Sequence, residues 1–226
     1  MNINQKLNEL AGLKESVMNI KPSGCFSLQD IGESDLDHPI FLTPWTIGAC
    51  NINAQLMLVA QDWLSQDALK QLDEKDRDIL KKIGRNPDLP TNKNIDYFLE
   101  YALNIPFEST FATNLFPFIK TGGMSAKIKT SYLNWCAINV LMPQIKIVKP
   151  KKIIILGRTV SRAVKKAIQM EGKIMRLSDV STNEVIDGFE FFYMPHPGGL
   201  GTASYGGKEK VRELWKRNLN ENANDN

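Results

Sequence analysis

Four short stretches of the sequence carry side chains suited to acid–base and leaving-group chemistry. Gln61-Asp62-Trp63 follows the apolar run 56–60, and Asn114-Leu115-Phe116 follows 110–113. Gly157-Arg158 follows 153–156, and Pro195-His196-Pro197-Gly198-Gly199-Leu200 follows 189–194. A carboxylate, an amide, a cation and an imidazole therefore stand just beyond four apolar runs. A carboxylate stabilises a developing cation and orients a water, while an imidazole moves a proton or donates to a developing oxyanion. An amide offers one acceptor and two donors, enough to read the polar edge of a planar ligand. These groups act together only if the four runs are strands that end on one rim.

The intervening segments support that arrangement. The runs 56–60 and 153–156 are continuously apolar, as strands buried on both faces are. Helical spacing predicts helices over 66–83, 94–104, 125–147, 159–171 and 207–219, with Ser65 as an N-cap. Ile3, Leu7, Leu10, Leu13 and Val17 predict another over 3–19, and residues 21–50 read mostly as loop. Alternating strands and helices imply an α/β fold of three layers, a mostly parallel four-stranded sheet with helices on both faces. In such sheets ligands lie outside the carboxyl ends of the strands. The expected organisation is one α/β domain over 1–219, with 1–50 as an N-terminal extension, 51–219 as its core and 220–226 as a disordered tail.

Composition narrows the class. The chain has 226 residues, 42% hydrophobic and 23% charged. It has no apolar run long enough to span a bilayer and no signal-peptide core at its start. A cytoplasmic, monomeric protein is the expectation. Net charge is only +3, yet residues 116–166 hold eleven cations, Lys120, Lys127 and Arg158 among them, and no acidic residue. That asymmetry suits a phosphate-bearing partner. Cys25, Cys50 and Cys136 form no CxxC pair and read as buried free thiols, so neither a metal nor another cofactor is expected. The glycine-rich segments 120–125 and 198–207 match neither the P-loop nor the dinucleotide fingerprint. His38, in the loop-rich N-terminal region, reads as structural.

Taken together, the four stretches resemble the motifs of the uracil-DNA glycosylase superfamily, in the same order and over roughly residues 56–219. Gln61-Asp62 resembles the water-activating motif and Asn114 the strand-end asparagine that reads uracil. The strand ending in Gly157 is similar to the family's hydrophobic strand. His196-Pro197-Gly198-Gly199-Leu200 is similar to its His-Pro-Ser-Pro-Leu loop. The departures are Ala60 for the family's frequent Gly, Trp63 and Leu64 for Pro and Tyr, and Gly198 and Gly199 for Ser and Pro. The Tyr replaced by Leu64 is the one that blocks the thymine methyl. Three cysteines cannot supply the four ligands of the iron–sulfur branches.

The resemblance implies hydrolysis of the N-glycosidic bond of a deoxyuridine flipped out of DNA, as in base-excision repair. Asp62 and His196 would be catalytic, and Gln61, Trp63, Asn114 and Phe116 would hold the base. Lys120, Lys127, Arg158, Gly198 and Gly199 would hold DNA, with Leu200 entering the vacated stack. The stacking aromatic stays open among Phe116, Phe118, Trp63 and Trp45. Two further readings stay open as well: a non-catalytic nucleotide- or DNA-binding member of the superfamily, and a glycosylase for another deaminated base.

Overall fold

Alternate residues of each long strand leave for opposite helical layers. A computed structural model of the protein describes residues 1–170 and 183–220. Strands β1 (Leu56–Ala60), β2 (Phe111–Asn114), β3 (Lys152–Leu156), β4 (Asn183–Ile186) and β5 (Phe189–Met194) form one sheet in the order β2-β1-β3-β5-β4. The first three and β5 run parallel, and β4 is antiparallel to β5. Met57, Val59, Phe111, Ile153, Ile155, Phe191 and Tyr193 pack into one cluster with α1 (Ile3–Ile20), α5 (Thr130–Cys136), α6 (Met142–Val148) and α7 (Arg158–Met170). Leu58, Ala112, Ile154, Phe192 and Met194 pack into a second with α4 (Pro90–Phe98) and α9 (Lys208–Asn220). The continuously apolar β1 and β3 are thus buried on both faces, as their composition requires.

The strand count differs from the expected four. The additional strand, β4, joins β5 through Asp187-Gly188, where φ is 53° and 83°. Positive φ at both central residues defines a two-residue primed hairpin turn. Four residues on a sheet edge give too weak a pattern to stand out, but the Asp-Gly pair was a legible signal. The predicted helix 66–83 is two, α2 (Gln66–Lys70) and α3 (Glu74–Ile83). Asp73 caps the fresh start, its side chain accepting from the Asp76 amide at 2.7 Å, which satisfies a donor the helix leaves open. The predicted 125–147 begins only at Thr130 and carries a π-helical stretch, Ala137–Leu141, between α5 and α6. A similar stretch, Leu99–Leu103, extends α4, which starts ahead of the predicted 94. Its first residue is Pro90, a type suited to that position. The second glycine-rich segment forms a short helix, α8 (Gly199–Ser204).

The N-terminal extension caps the sheet. Leu10 and Val17 of α1 join the first cluster, and the buried Lys6 amine donates to the Ile52 and Val148 carbonyls at 3.0 and 2.8 Å. His38 is structural: its Nδ1 accepts from the Ile40 and Phe41 amides and its ring stacks on Phe41. Cys25 and Cys136 are buried free thiols, and burial pushes Cys25 up to about 11; Cys50, expected to be buried too, is exposed. Of the expected disordered tail, Asn220 closes α9 and 221–226 lie outside the described residues. Among the described residues no helix is long and apolar enough to cross a membrane.

Among the described residues Gly84 makes the tightest glycine contact. It ends α3 with φ 68°, and a Cβ there would lie 1.7 Å from the Pro44 carbonyl oxygen. Gly32 has φ 80° with open space around it. Gly32→Ala is expected to cost about 1 kcal/mol, the penalty of a left-handed alanine. Gly84→Ala is expected to cost about 1–3 kcal/mol more, because backbone must move. Urea unfolding of the two variants checks this; equal losses would contradict the close approach.

Candidate functional site

The chain adds β2 on one side of β1 and β3 on the other, so the direction of strand addition reverses beside β1. Such a reversal leaves a crevice outside the strand ends. A cleft of about 1620 Å³ lies there, and Gln61, Asp62, Asn114, Gly157, Arg158 and His196 all line it. The four strand ends do converge on one rim.

The loop after β1 is tied to the segment after β2. The Leu115 and Phe116 amides donate to the Ala60 and Gln61 carbonyls, each at 2.8 Å, and the Gln66 amide donates to the Lys120 carbonyl at 2.9 Å. Ser65, fully buried, caps α2 through its hydroxyl. These ties bring Lys120 to Asp62. The Lys120 Nζ lies 2.7 Å from Asp62 Oδ2, and the two side chains are only 6% and 8% exposed. The other carboxylate oxygen accepts from Gln61 Nε2 at 2.8 Å, and the Lys120 amine also donates to the Met124 carbonyl. Lys120 is therefore a buried partner of the carboxylate. Lys120, expected as a DNA-phosphate contact, lines the cleft with its amine already engaged by Asp62 and Met124.

His196 is held from three sides. Its Nδ1 accepts from the Gly198 amide at 2.9 Å, so a neutral ring carries its proton on Nε2. Three glycines make room for it. A Cβ on Gly157, where φ is 93°, would meet the His196 Cβ at 3.3 Å; one on Gly201 would lie 2.1 Å from the His196 carbonyl oxygen. One on Gly198 would press the ring at 2.9 Å. Asn94 of α4 donates to the Pro197 carbonyl at 2.6 Å and braces the loop. The residue keeps solvent access, yet desolvation of the ring is the larger influence and lowers its pKa below 6.5; the Asp62 carboxylate acts in the opposite sense. The ring is thus a neutral Nε2–H donor near pH 7.

Asn114 ends β2 at 2% exposure, and its amide oxygen has no hydrogen-bond partner in the protein. An unsatisfied buried acceptor costs roughly 1–3 kcal/mol. This one borders the cleft, where a ligand donor can reach it.

The remaining expected residues divide. Trp63 lines the cleft, its indole nitrogen donating to the Gly84 carbonyl at 2.7 Å, and Trp45 lines it too. Phe116 and Phe118 are buried in the core, 5.4 Å apart in edge contact, and neither is among the lining residues. The expectation that Phe116 holds a base is corrected accordingly, since core packing takes its ring; Trp63 remains as a part-buried aromatic surface, while Trp45 borders the cleft from within the second cluster. Lys127 and Arg158 line the cleft. Gly198, Gly199 and Leu200 are not among the lining residues; they start α8, with Leu200 91% exposed. Sequence reasoning missed the bracing residue Asn94 and the pairing of Lys120 with Asp62. Neither has a local signal, since each contact joins residues far apart in the chain. No protein-family model and no curated protein matches this chain.

Two measurements test this geometry. Removing one member of a buried ion pair typically costs about 3–5 kcal/mol, so Lys120→Met should destabilise the fold by about 3 kcal/mol. Adding Asp62→Asn should recover part of that loss, which denaturant unfolding of the single and double variants reads. Additive losses would show that the pair is not coupled. Both His38 and His196 have pKa values lowered from 6.5, mainly by desolvation. The unfolded chain then binds more protons than the fold below that value, so stability should fall as pH drops through it. NMR titration should give both imidazoles midpoints under 6.5; a midpoint above it for His196 would contradict the desolvated ring.

Proposed function

We propose that the protein is a DNA-base glycosylase that hydrolyses the N-glycosidic bond of a flipped deoxyuridine. The observation that carries the reading is the unpartnered amide oxygen of Asn114, buried in the cleft that Asp62 and His196 also line. Uracil presents an N3–H donor beside its O4 acceptor, and one amide matches both. A base in duplex DNA must leave the stack to reach such a cleft. Bond breakage builds positive charge on the sugar and negative charge on the base. Asp62 stabilises the first and orients the attacking water, and the His196 Nε2–H donates to the second. Lys120 and Gln61 hold the carboxylate in place. Trp63 supplies an aromatic face for the base, Lys127 and Arg158 meet phosphates, and exposed Leu200 fills the vacated stack.

One observation favours a second reading. Both Asp62 oxygens are already engaged, one by a lysine ammonium at 2.7 Å. A cation that close weakens the field the carboxylate projects on a sugar cation. That suits a member of the same superfamily that binds nucleotides or DNA without cleaving them. A glycosylase for another deaminated base is a third reading, since Leu64 leaves the pocket without the methyl-blocking tyrosine.

The test is an end-labelled oligonucleotide with one uracil, single-stranded and duplex, followed by alkaline cleavage of abasic sites. The wild type should produce the shorter strand. Asp62→Asn and His196→Ala should each lower turnover about 100-fold or more, the scale of losing a transition-state interaction. Near-normal turnover in either variant removes that residue from the mechanism. Retained binding without cleavage, on uracil and on a panel of deaminated bases, selects the binding-only reading.

A further inference from the structure

The cleft is larger than one nucleotide needs. Clefts that bury a single small ligand usually measure about 300–1,000 Å³, and this one measures about 1620 Å³. The excess extends from the strand ends into a branch between α7 and the 124–134 segment, whose residues line the same space. Its inner side is closed by the part-buried Ile128 and by Leu133, Val160 and Ala163, which belong to the first core cluster where α5 packs on α7. Its walls are cationic. Arg158, Arg162 and Lys166 follow one another at four-residue intervals on α7, a step of about 6 Å along one helix face. All three are exposed, and none has a carboxylate partner among the described residues. Lys127 stands on the facing wall, and no acidic side chain among the described residues of α5, α7 or 121–129 lines the branch.

A second orphaned polar atom lies in this branch. The amide oxygen of Asn134, on α5, is buried and has no hydrogen-bond partner in the protein. Asn134 lines the branch as Asn114 lines the strand-end site. A file of cations and a free amide match, in that order, the phosphates that join nucleotides and a base edge.

We infer that the branch between α5 and α7 is a binding track for the unpaired strand that continues from the nucleotide held at Asp62 and His196, with phosphates on Arg158, Arg162 and Lys166 and the neighbouring base edge on Asn134. The inference rests on the glycosylase reading for the identity of that first nucleotide. It adds that the protein engages at least one flanking nucleotide and takes single-stranded nucleic acid in preference to a closed duplex. An unpaired strand suits the branch because the Asn134 amide can reach the pairing edge of a base only where no complementary strand occupies that edge.

The probe is a fluorescein-labelled oligothymidylate, with fluorescence anisotropy recorded over a range of salt concentrations. It carries no uracil, so its binding reads the track without any excision. Wild-type protein should bind it more tightly than its duplex with oligoadenylate. The double reversal Arg162→Glu/Lys166→Glu should weaken single-strand binding about tenfold or more and flatten the log–log salt slope by about 1.4, two phosphate contacts' worth. Lys146 and Lys151 are exposed and do not line the cleft. Their reversal should leave affinity within about twofold, since charges beyond a Debye length are screened. Asn134→Ala should weaken binding without changing the slope. Any one of three results overturns the track: the Arg162/Lys166 variant binds like wild type, the Lys146/Lys151 variant loses as much, or the duplex binds better. Uracil excision separates this outcome from the underlying reading. Excision with an unaltered KM in the Arg162/Lys166 variant would leave the glycosylase standing and the track rejected. Track binding with no excision by wild type would leave the track standing and the catalytic assignment rejected.

Discussion

The parallel pairing of β1 with β2 on one side and β3 on the other is the constraint on which the site depends. Leu58 is level with Ala112 and with Ile154, so the strands finish together. Asp62, Asn114, Arg158 and His196 then stand at a strand end or two positions past one, all on one edge of the sheet. The chain reverses its direction of strand addition beside β1, so the helices that follow diverge and leave that edge open. A slip of one residue in any strand would exchange its two apolar clusters and swing its terminal polar residue away. The apolar alternation that builds the two cores therefore also sets the geometry of the cleft.

The same edge concentrates the polar groups that a folded interior ordinarily avoids. Lys120 and Asp62 are nearly buried and answer one another, whereas the Asn114 and Asn134 oxygens are buried and answer nothing in the protein. The pair is a self-contained way of keeping a carboxylate inside a cleft, because each charge compensates the other's desolvation. The two amides leave a cost in the free protein that a donor from outside the chain would remove. Near His196 the constraint is steric: glycine at 157, 198 and 201 lets backbone and ring approach more closely than any side chain permits. Gly198, which stands where the resembled family has Ser, thus fits the packing of this loop, whereas Gly199 has open space around it.

Much of this was legible in the sequence. β1 and β5 fall on their predicted bounds, because runs of apolar residues flanked by polar ones are strong local signals. The convergence of Asp62, Asn114, Arg158 and His196 followed from alternating strands and helices alone. The edge strand β4, the split of 66–83 at Asp73 and the late start of α5 were not seen, since each depends on caps or hairpins only a few residues long. Type and position suggest exposure to a ligand for both Lys120 and Phe116, whereas burial pairs Lys120 with Asp62 at the cleft and packs Phe116 on Phe118 in the core. Which side of a loop residue faces the cleft is decided by tertiary packing, and local sequence does not carry it.

On the proposed function, Asn114, Asp62 and His196 form one pocket for a single nucleobase. Titration of ¹⁵N-labelled protein with free uracil tests it most directly, with the side-chain amide of Asn114 and the ring nitrogens of His196 observed together. The account predicts that both move, with a common midpoint, and that Asn114→Ala abolishes the response of His196. Separate midpoints, or resonances at both residues that stay fixed while others move, would contradict it.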